Sequence, residues 1–66
     1  MPNEIITTGE KITLLAKRQG VSIPELARRV DMSQPGLSYQ LRKETWKLPL
    51  LEKIAGVLGV EVKELI

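Results

Sequence analysis

The stretch from Ser22 to Arg42 constrains the fold of this 66-residue chain more than any other, because it contains two helix starts eleven residues apart. Serine is a preferred N-cap residue, and both Ser22 and Ser33 precede an apolar residue placed four positions later. Asp31 and Met32, the residues before Ser33, leave room only for a tight turn. The sequence therefore predicts two short helices that cross at a steep angle.

Each of these helices carries its own start signals and its own apolar stripe. Ser22 and Glu25 have the spacing of a capping box, and Pro24 lies in the first turn, where its missing N–H costs nothing. The second helix should run from Ser33 to about Lys43 and direct Tyr39 away from the core. The residues expected to face inward on the two helices are Leu26, Ala27, Val30, Leu37 and Leu41.

The flanking segments predict three further helices. Thr7 and Glu10 form a capping box for a helix that ends near Gln19, before Gly20. A later helix starts near Pro49 and ends at Gly59, and residues 61–66 should form a short last helix. The apolar stripe predicted for the helix after Pro49 is Leu51, Ile54, Ala55 and Leu58. We therefore expect an all-α, five-helix domain over residues 7–66. Residues 1–6 should form a flexible N-terminal arm, which either frays or reaches a partner.

Positive charge is concentrated in the middle of the chain. Residues 11–47 hold eight basic residues against Glu25, Asp31 and Glu44, an excess of five in a chain whose net charge is +2. Such an excess suits a polyanionic partner, although ordinary solvated faces would account for it equally well.

A group of apolar residues lies at the C-terminus. Val62, Leu65 and Ile66 either close the core or meet a second copy of the chain.

Composition excludes several kinds of site. The chain has no cysteine and no histidine, and its carboxylates are scattered singly, so neither a metal cluster nor a general acid–base pair can be assembled. We expect no enzymatic activity, no cofactor and no site for a small-molecule effector. The absence of a long apolar run and of a signal peptide predicts a cytoplasmic protein with no membrane association.

Two spaced segments resemble the lambda-repressor-like helix-turn-helix family, also called the Cro/CI or xenobiotic-response-element type, and the likeness covers about residues 9–66. The first comprises Leu26-Ala27, the turn, Ser33-Gln34 and Leu37-Ser38, and the second runs from Leu50 to Val60. The resemblance implies a compact five-helix domain in which the helices that start at Ser22 and Ser33, helices 2 and 3 of the five, form the helix-turn-helix. It also implies sequence-specific binding of double-stranded DNA by a small transcriptional repressor, with helix 3 in the major groove, and a homodimer formed through the C-terminal region.

Candidate contacts follow from this interpretation. A glutamine at the leading end of helix 3 can pair with the N6/N7 edge of adenine, and the polar residues behind it can approach bases or sugars. Base contacts are predicted for Gln34, Pro35, Ser38 and Tyr39. Phosphate contacts are predicted for Ser22, Arg28, Arg42, Lys43 and Lys47.

Other interpretations of these residues remain open. Gln34 and Arg28 can simply be solvated, and Trp46 can either stack on DNA or plug the edge of the core. The chain also departs from the family at Ile23, where a polar residue is common, and at Gln40, where an apolar residue is common. The same fold can serve as a protein-interaction module of an antitoxin or phage regulatory complex, in which the face around Tyr39 would meet protein.

Overall fold

The computed structural model describes residues 6–66, and these residues are helical without any strand. The elements are α1 (Thr8–Arg18), α2 (Ile23–Arg29), α3 (Gln34–Leu41) and α4 (Leu48–Leu58), followed by a 3₁₀ turn at Val62–Glu64. The all-α class is confirmed, but the count of five helices is not. The predicted arm lies, apart from Ile6, outside the described residues.

The last segment forms a single 3₁₀ turn because its hydrogen bonds span three residues. Glu64 N–H donates to the Glu61 carbonyl at 2.9 Å, and Leu65 N–H donates to the Val62 carbonyl at 2.8 Å. This tight turn places Leu65 in the core with no exposed surface, while Ile66 stays 66% exposed. The terminal apolar group is therefore divided between the core of the domain and its surface.

Three predicted N-caps are present. Thr7, Ser22 and Ser33 each accept a hydrogen bond from the backbone N–H three residues on, at 3.1, 3.2 and 3.1 Å. Thr7 and Glu10 complete a reciprocal capping box. The box predicted at Ser22 and Glu25 is wrong in its second half, because the Glu25 side chain pairs with two arginines instead of returning to the Ser22 N–H.

Helix α3 ends earlier than predicted. Its last residue is Leu41 rather than Lys43, and Arg42 is the C-cap. Arg42 N–H donates to the Tyr39 carbonyl and Lys43 N–H to the Gln40 carbonyl, so the final turn tightens to three-residue spacing and the helix cannot continue.

The turn between α2 and α3 depends on one strained residue. Asp31 has φ 63°, in the left-handed region that most side chains resist. The turn then closes with Met32 N–H donating to the Ala27 carbonyl at 2.8 Å. Ala27 is 1% exposed, so a small buried residue lies where α2 and α3 approach each other, as the sequence predicted.

One core gathers the apolar stripes of all four helices and the terminal turn. Its buried members are Ile12, Ala16, Leu26, Ala27, Val30, Leu37, Leu51, Ile54, Ala55, Leu58 and Leu65. The stripes predicted for α2 and α4 are fully buried, whereas Leu41 at the end of α3 is only partly covered. Burial of Leu37 fixes the rotation of α3 and thereby selects which of its residues face outward.

The start of α1 and the end of α3 touch through their backbones. Gly9 is buried, and a Cβ added to it would lie 1.9 Å from the Leu41 carbonyl oxygen. Only a glycine permits this approach. The contact holds the end of α3 against the start of α1, and nothing in the local sequence pattern predicted it.

No helix within residues 6–66 has both the length and the apolar character needed to span a membrane.

Candidate nucleic-acid interface

The outward face of α3 carries most of the predicted base contacts. Gln34 and Pro35 are exposed in the first turn, and Tyr39 is 59% exposed one turn further on. Ser38 is half-buried, so only part of its side chain is accessible. Because Pro35, Ser38 and Tyr39 are spaced by three and four residues, they form one stripe opposite Leu37.

Gly36 contributes to the N-cap at the start of α3. Its N–H donates to the Ser33 hydroxyl at 3.1 Å, and a Cβ at this position would lie 2.9 Å from the same oxygen. A side chain would therefore press on the N-cap. The absence of a side chain at Gly36 therefore suits the N-cap.

Two of the predicted contacts interact with each other. The Lys43 ammonium lies 5.0 Å from the centroid of the Tyr39 ring, a cation–π arrangement across one helical turn. Arg42 precedes Lys43 at the C-cap of α3 and is exposed. The end of α3 thus presents an aromatic ring beside two cations, with no carboxylate on the helix.

The segment from Lys43 to Lys47, here named the α3–α4 loop, is held by two side chains. Gln40 Nε2 donates to the Thr45 carbonyl at 3.0 Å, and Trp46 Nε1 donates to the Lys43 carbonyl at 3.1 Å. Trp46 is half-buried against the core, which is the edge-plug arrangement. Lys47, the last residue of the loop, is exposed at the N-cap of α4.

The exposed face of α2 carries an ion cluster that sequence reasoning missed. The Glu25 carboxylate pairs with Arg28 through one oxygen and accepts a 2.8 Å hydrogen bond from Arg29 Nε through the other. The hydrogen bond from Arg28, followed by that from Arg29, holds the pKa of Glu25 below its ordinary value. The spacing of three and four residues could have revealed these pairs.

The predicted phosphate contacts are consequently placed on separate elements. Arg42 and Lys43 follow α3, and Lys47 precedes α4. Ser22 starts α2 with its hydroxyl oxygen already accepting the Glu25 N–H, and Arg28 is paired with Glu25. Within residues 6–66, no group of three or more acidic, cysteine or histidine side chains is placed to hold a metal ion.

Comparison with known proteins identifies the fold and its family. The model of the Cro/C1-type HTH DNA-binding domain matches residues 11–66. A crystal structure of SinR, the master regulator for biofilm formation, in complex with DNA superimposes with a TM-score of 0.81 at 31% sequence identity. That match covers 89% of this chain and 97% of the SinR chain. A search of curated proteins found no match. Because the family model spans most of its length, the chain belongs to the Cro/C1-type helix-turn-helix DNA-binding domains.

Proposed function

We propose that the protein is a transcriptional repressor that binds specific sequences of double-stranded DNA, with α3 in the major groove. The observation that carries this proposal is the exposed face of α3, which offers polar and aromatic side chains, and no carboxylate, to a polyanion. The family match and the DNA complex of SinR support it. Residues 7–66 constitute the binding domain, which acts without enzymatic activity on DNA in the cytoplasm.

Sequence discrimination is assigned to the outward face of α3. Gln34 pairs bidentately with adenine, a contact worth about 1–3 kcal/mol of discrimination, and Pro35 touches a thymine methyl group. Ser38 donates to a base or a phosphate from its half-buried position. Tyr39 approaches the edge of the groove, where its ring lies against sugar and its hydroxyl reaches phosphate.

Affinity is assigned to the cations around this face. Arg42, Lys43 and Lys47 neutralise phosphates, and each neutralised phosphate steepens the loss of affinity with salt. Ser22 adds its hydroxyl group at the N-terminus of α2, where the helix dipole favours an anion. Arg28 contributes only to the extent that a phosphate competes with Glu25 for its guanidinium.

Two substitutions separate these roles. Gln34→Ala should relax the preference at one base position in a selection from random DNA, without changing the salt dependence. Lys43→Ala should weaken binding to all sequences alike and reduce the salt slope by about 1. If both variants select the same sites with the same salt slope as wild type, α3 is not the reading helix.

The salt dependence of duplex binding also distinguishes DNA binding from the interaction-module alternative. A DNA-binding domain loses affinity steeply as salt rises, because bound phosphates release counterions. No measurable binding to any duplex at low salt would instead support a protein partner for the Tyr39 face, which is 59% exposed.

We also propose that the protein acts as a homodimer through its C-terminal region. Ile66 is 66% exposed there, and so small a domain gains stability from association. Two copies would read half-sites separated by about 34 Å, one turn of DNA. Sedimentation on DNA should show two copies per operator, and a single copy at saturating protein would exclude this dimer.

A further inference from the structure

We propose that Gln40 and Trp46 are positioning residues for DNA binding, which fix the α3–α4 loop so that Lys43 and Lys47 face phosphates. This inference rests on the proposed function. It adds two residues that need not touch DNA themselves. Both act through main-chain carbonyls of the loop that carries the lysines.

The two hydrogen bonds restrain the loop from both of its sides. Gln40, on the last turn of α3, donates to the Thr45 carbonyl in the middle of the loop. Trp46 donates back to the Lys43 carbonyl at the start of the loop, and its half-buried ring is anchored against the core. The loop is therefore tied to a helix at one point and to the core at another, although most of its residues are exposed.

These ties also leave the loop with an excess of hydrogen-bond donors. The carbonyls of Lys43, Thr45 and Lys47 accept hydrogen bonds from within the chain. The backbone N–H groups of residues 44–47, by contrast, donate to no acceptor within the described part of the chain. The two side chains therefore donate to carbonyl oxygens, which would otherwise repel a phosphate, in a loop whose N–H groups remain available as donors.

The chemistry of Gln40 is specific to this arrangement. An apolar side chain at this position could cover the core equally well, but it could not donate to a carbonyl. Gln40 is half-buried, and its amide donates to the Thr45 carbonyl of the loop. Losing one such hydrogen bond should release the loop and weaken DNA binding about two- to tenfold.

Gln19 offers a matched control within the same chain. Its Nε2 donates to the Leu58 carbonyl at 2.6 Å and joins the end of α1 to the end of α4. Gln19→Met and Gln40→Met thus delete the same kind of bond, from a glutamine amide to a main-chain carbonyl. Only the second deletion should affect the DNA-binding loop.

The test is a double-mutant cycle in DNA affinity. Wild type, Gln40→Met, Lys47→Ala and the double variant are titrated with a duplex operator at several salt concentrations, below their melting temperatures. We expect Gln40→Met to weaken binding and the effect of Lys47→Ala to be smaller in the Gln40→Met background. Gln19→Met should keep the wild-type affinity. Trp46→Phe, which keeps an aromatic ring but replaces the indole and so removes its N–H, should weaken binding as Gln40→Met does.

A structural role alone would give a different result. If Gln40→Met binds like wild type, or if its effect and that of Lys47→Ala simply multiply, the positioning role is wrong while DNA binding stands. If wild type itself binds no duplex at low salt, the proposed function is wrong. Should Gln40→Met fail to fold, Gln40→Asn keeps the amide but shortens its reach by one methylene, and it carries the same expectation.

Discussion

Gly9 offers the sharpest test of how this domain holds its reading helix. A Cβ at this position would lie 1.9 Å from the Leu41 oxygen and 2.8 Å from the Leu41 carbonyl carbon. Both atoms belong to the backbone, so no side chain can rotate aside. To restore an ordinary contact of 3.4 Å, Gly9→Ala must separate α1 from the end of α3 by about 1.5 Å.

The expected cost outweighs the gain in helix propensity. Alanine is favoured over glycine within a helix by up to about 1 kcal/mol. Overpacking that forces a backbone shift typically costs about 1–3 kcal/mol, and here the clash is between two backbones. We therefore expect a net destabilisation of about 1–2 kcal/mol. In a domain of this size that lowers Tm by roughly 4–16 °C.

Thermal unfolding followed by circular dichroism measures this effect, with Gly56→Ala as the control. Gly56 lies in α4 with no atom within 4 Å of an added Cβ, so its substitution should raise stability by about 0.5–1 kcal/mol. DNA affinity should also fall in Gly9→Ala, because displacement of Leu41 moves the adjacent Arg42. A Gly9→Ala protein that melts at or above the wild-type temperature would refute the close approach.

Three further predictions concern single residues. The carboxyl resonance of Glu25 should titrate with a midpoint below 4.5 in NMR, and a midpoint at or above 4.5 would contradict the arginine pairing. Because the pKa of Glu25 is lowered by folding, the pairing stabilises the fold at pH values above the ordinary pKa, and this stability is lost as the pH falls through the folded-state pKa. Asp31→Gly should raise the free energy of unfolding by about 0.5 kcal/mol in urea denaturation, because glycine adopts φ 63° without strain. A loss of stability would show instead that the aspartate side chain supports the turn. Leu65→Ala should cost about 2–5 kcal/mol in the same assay, whereas Ile66→Ala should leave the monomer nearly unchanged; similar costs would place both in the core.

The helices and their starts could be predicted because their determinants are local. A serine or threonine N-cap and the N–H that it satisfies are three residues apart, so the sequence alone placed Thr7, Ser22 and Ser33 correctly. The spacing of apolar residues likewise predicted the buried stripe of α4, because residues three and four apart lie on one face of a helix. The end of α3 was misplaced by two residues, since the tightening of its last turn leaves no comparable pattern.

The candidate site was predictable in outline only. Burial of Leu37 confirmed the rotation of α3 and hence the exposure of Gln34 and Tyr39. The pairing of Arg28 with Glu25 was not anticipated, because the carboxylate had been assigned to a capping box that competes for the same side chain. The contacts of Gln40 depend on the path of the α3–α4 loop, which has no periodicity.

The sequence by itself determined where the helices start, which faces are apolar and where the positive charge is concentrated, since each is set by residues within one or two helical turns. The tertiary structure alone decided the contact of Gly9 with Leu41, the packing of Trp46 against the core and the separate positions of Leu65 and Ile66. These features arise when a chain segment packs against residues beyond its own helix. Local preferences do not specify such contacts, because they depend on how the whole chain fills one core.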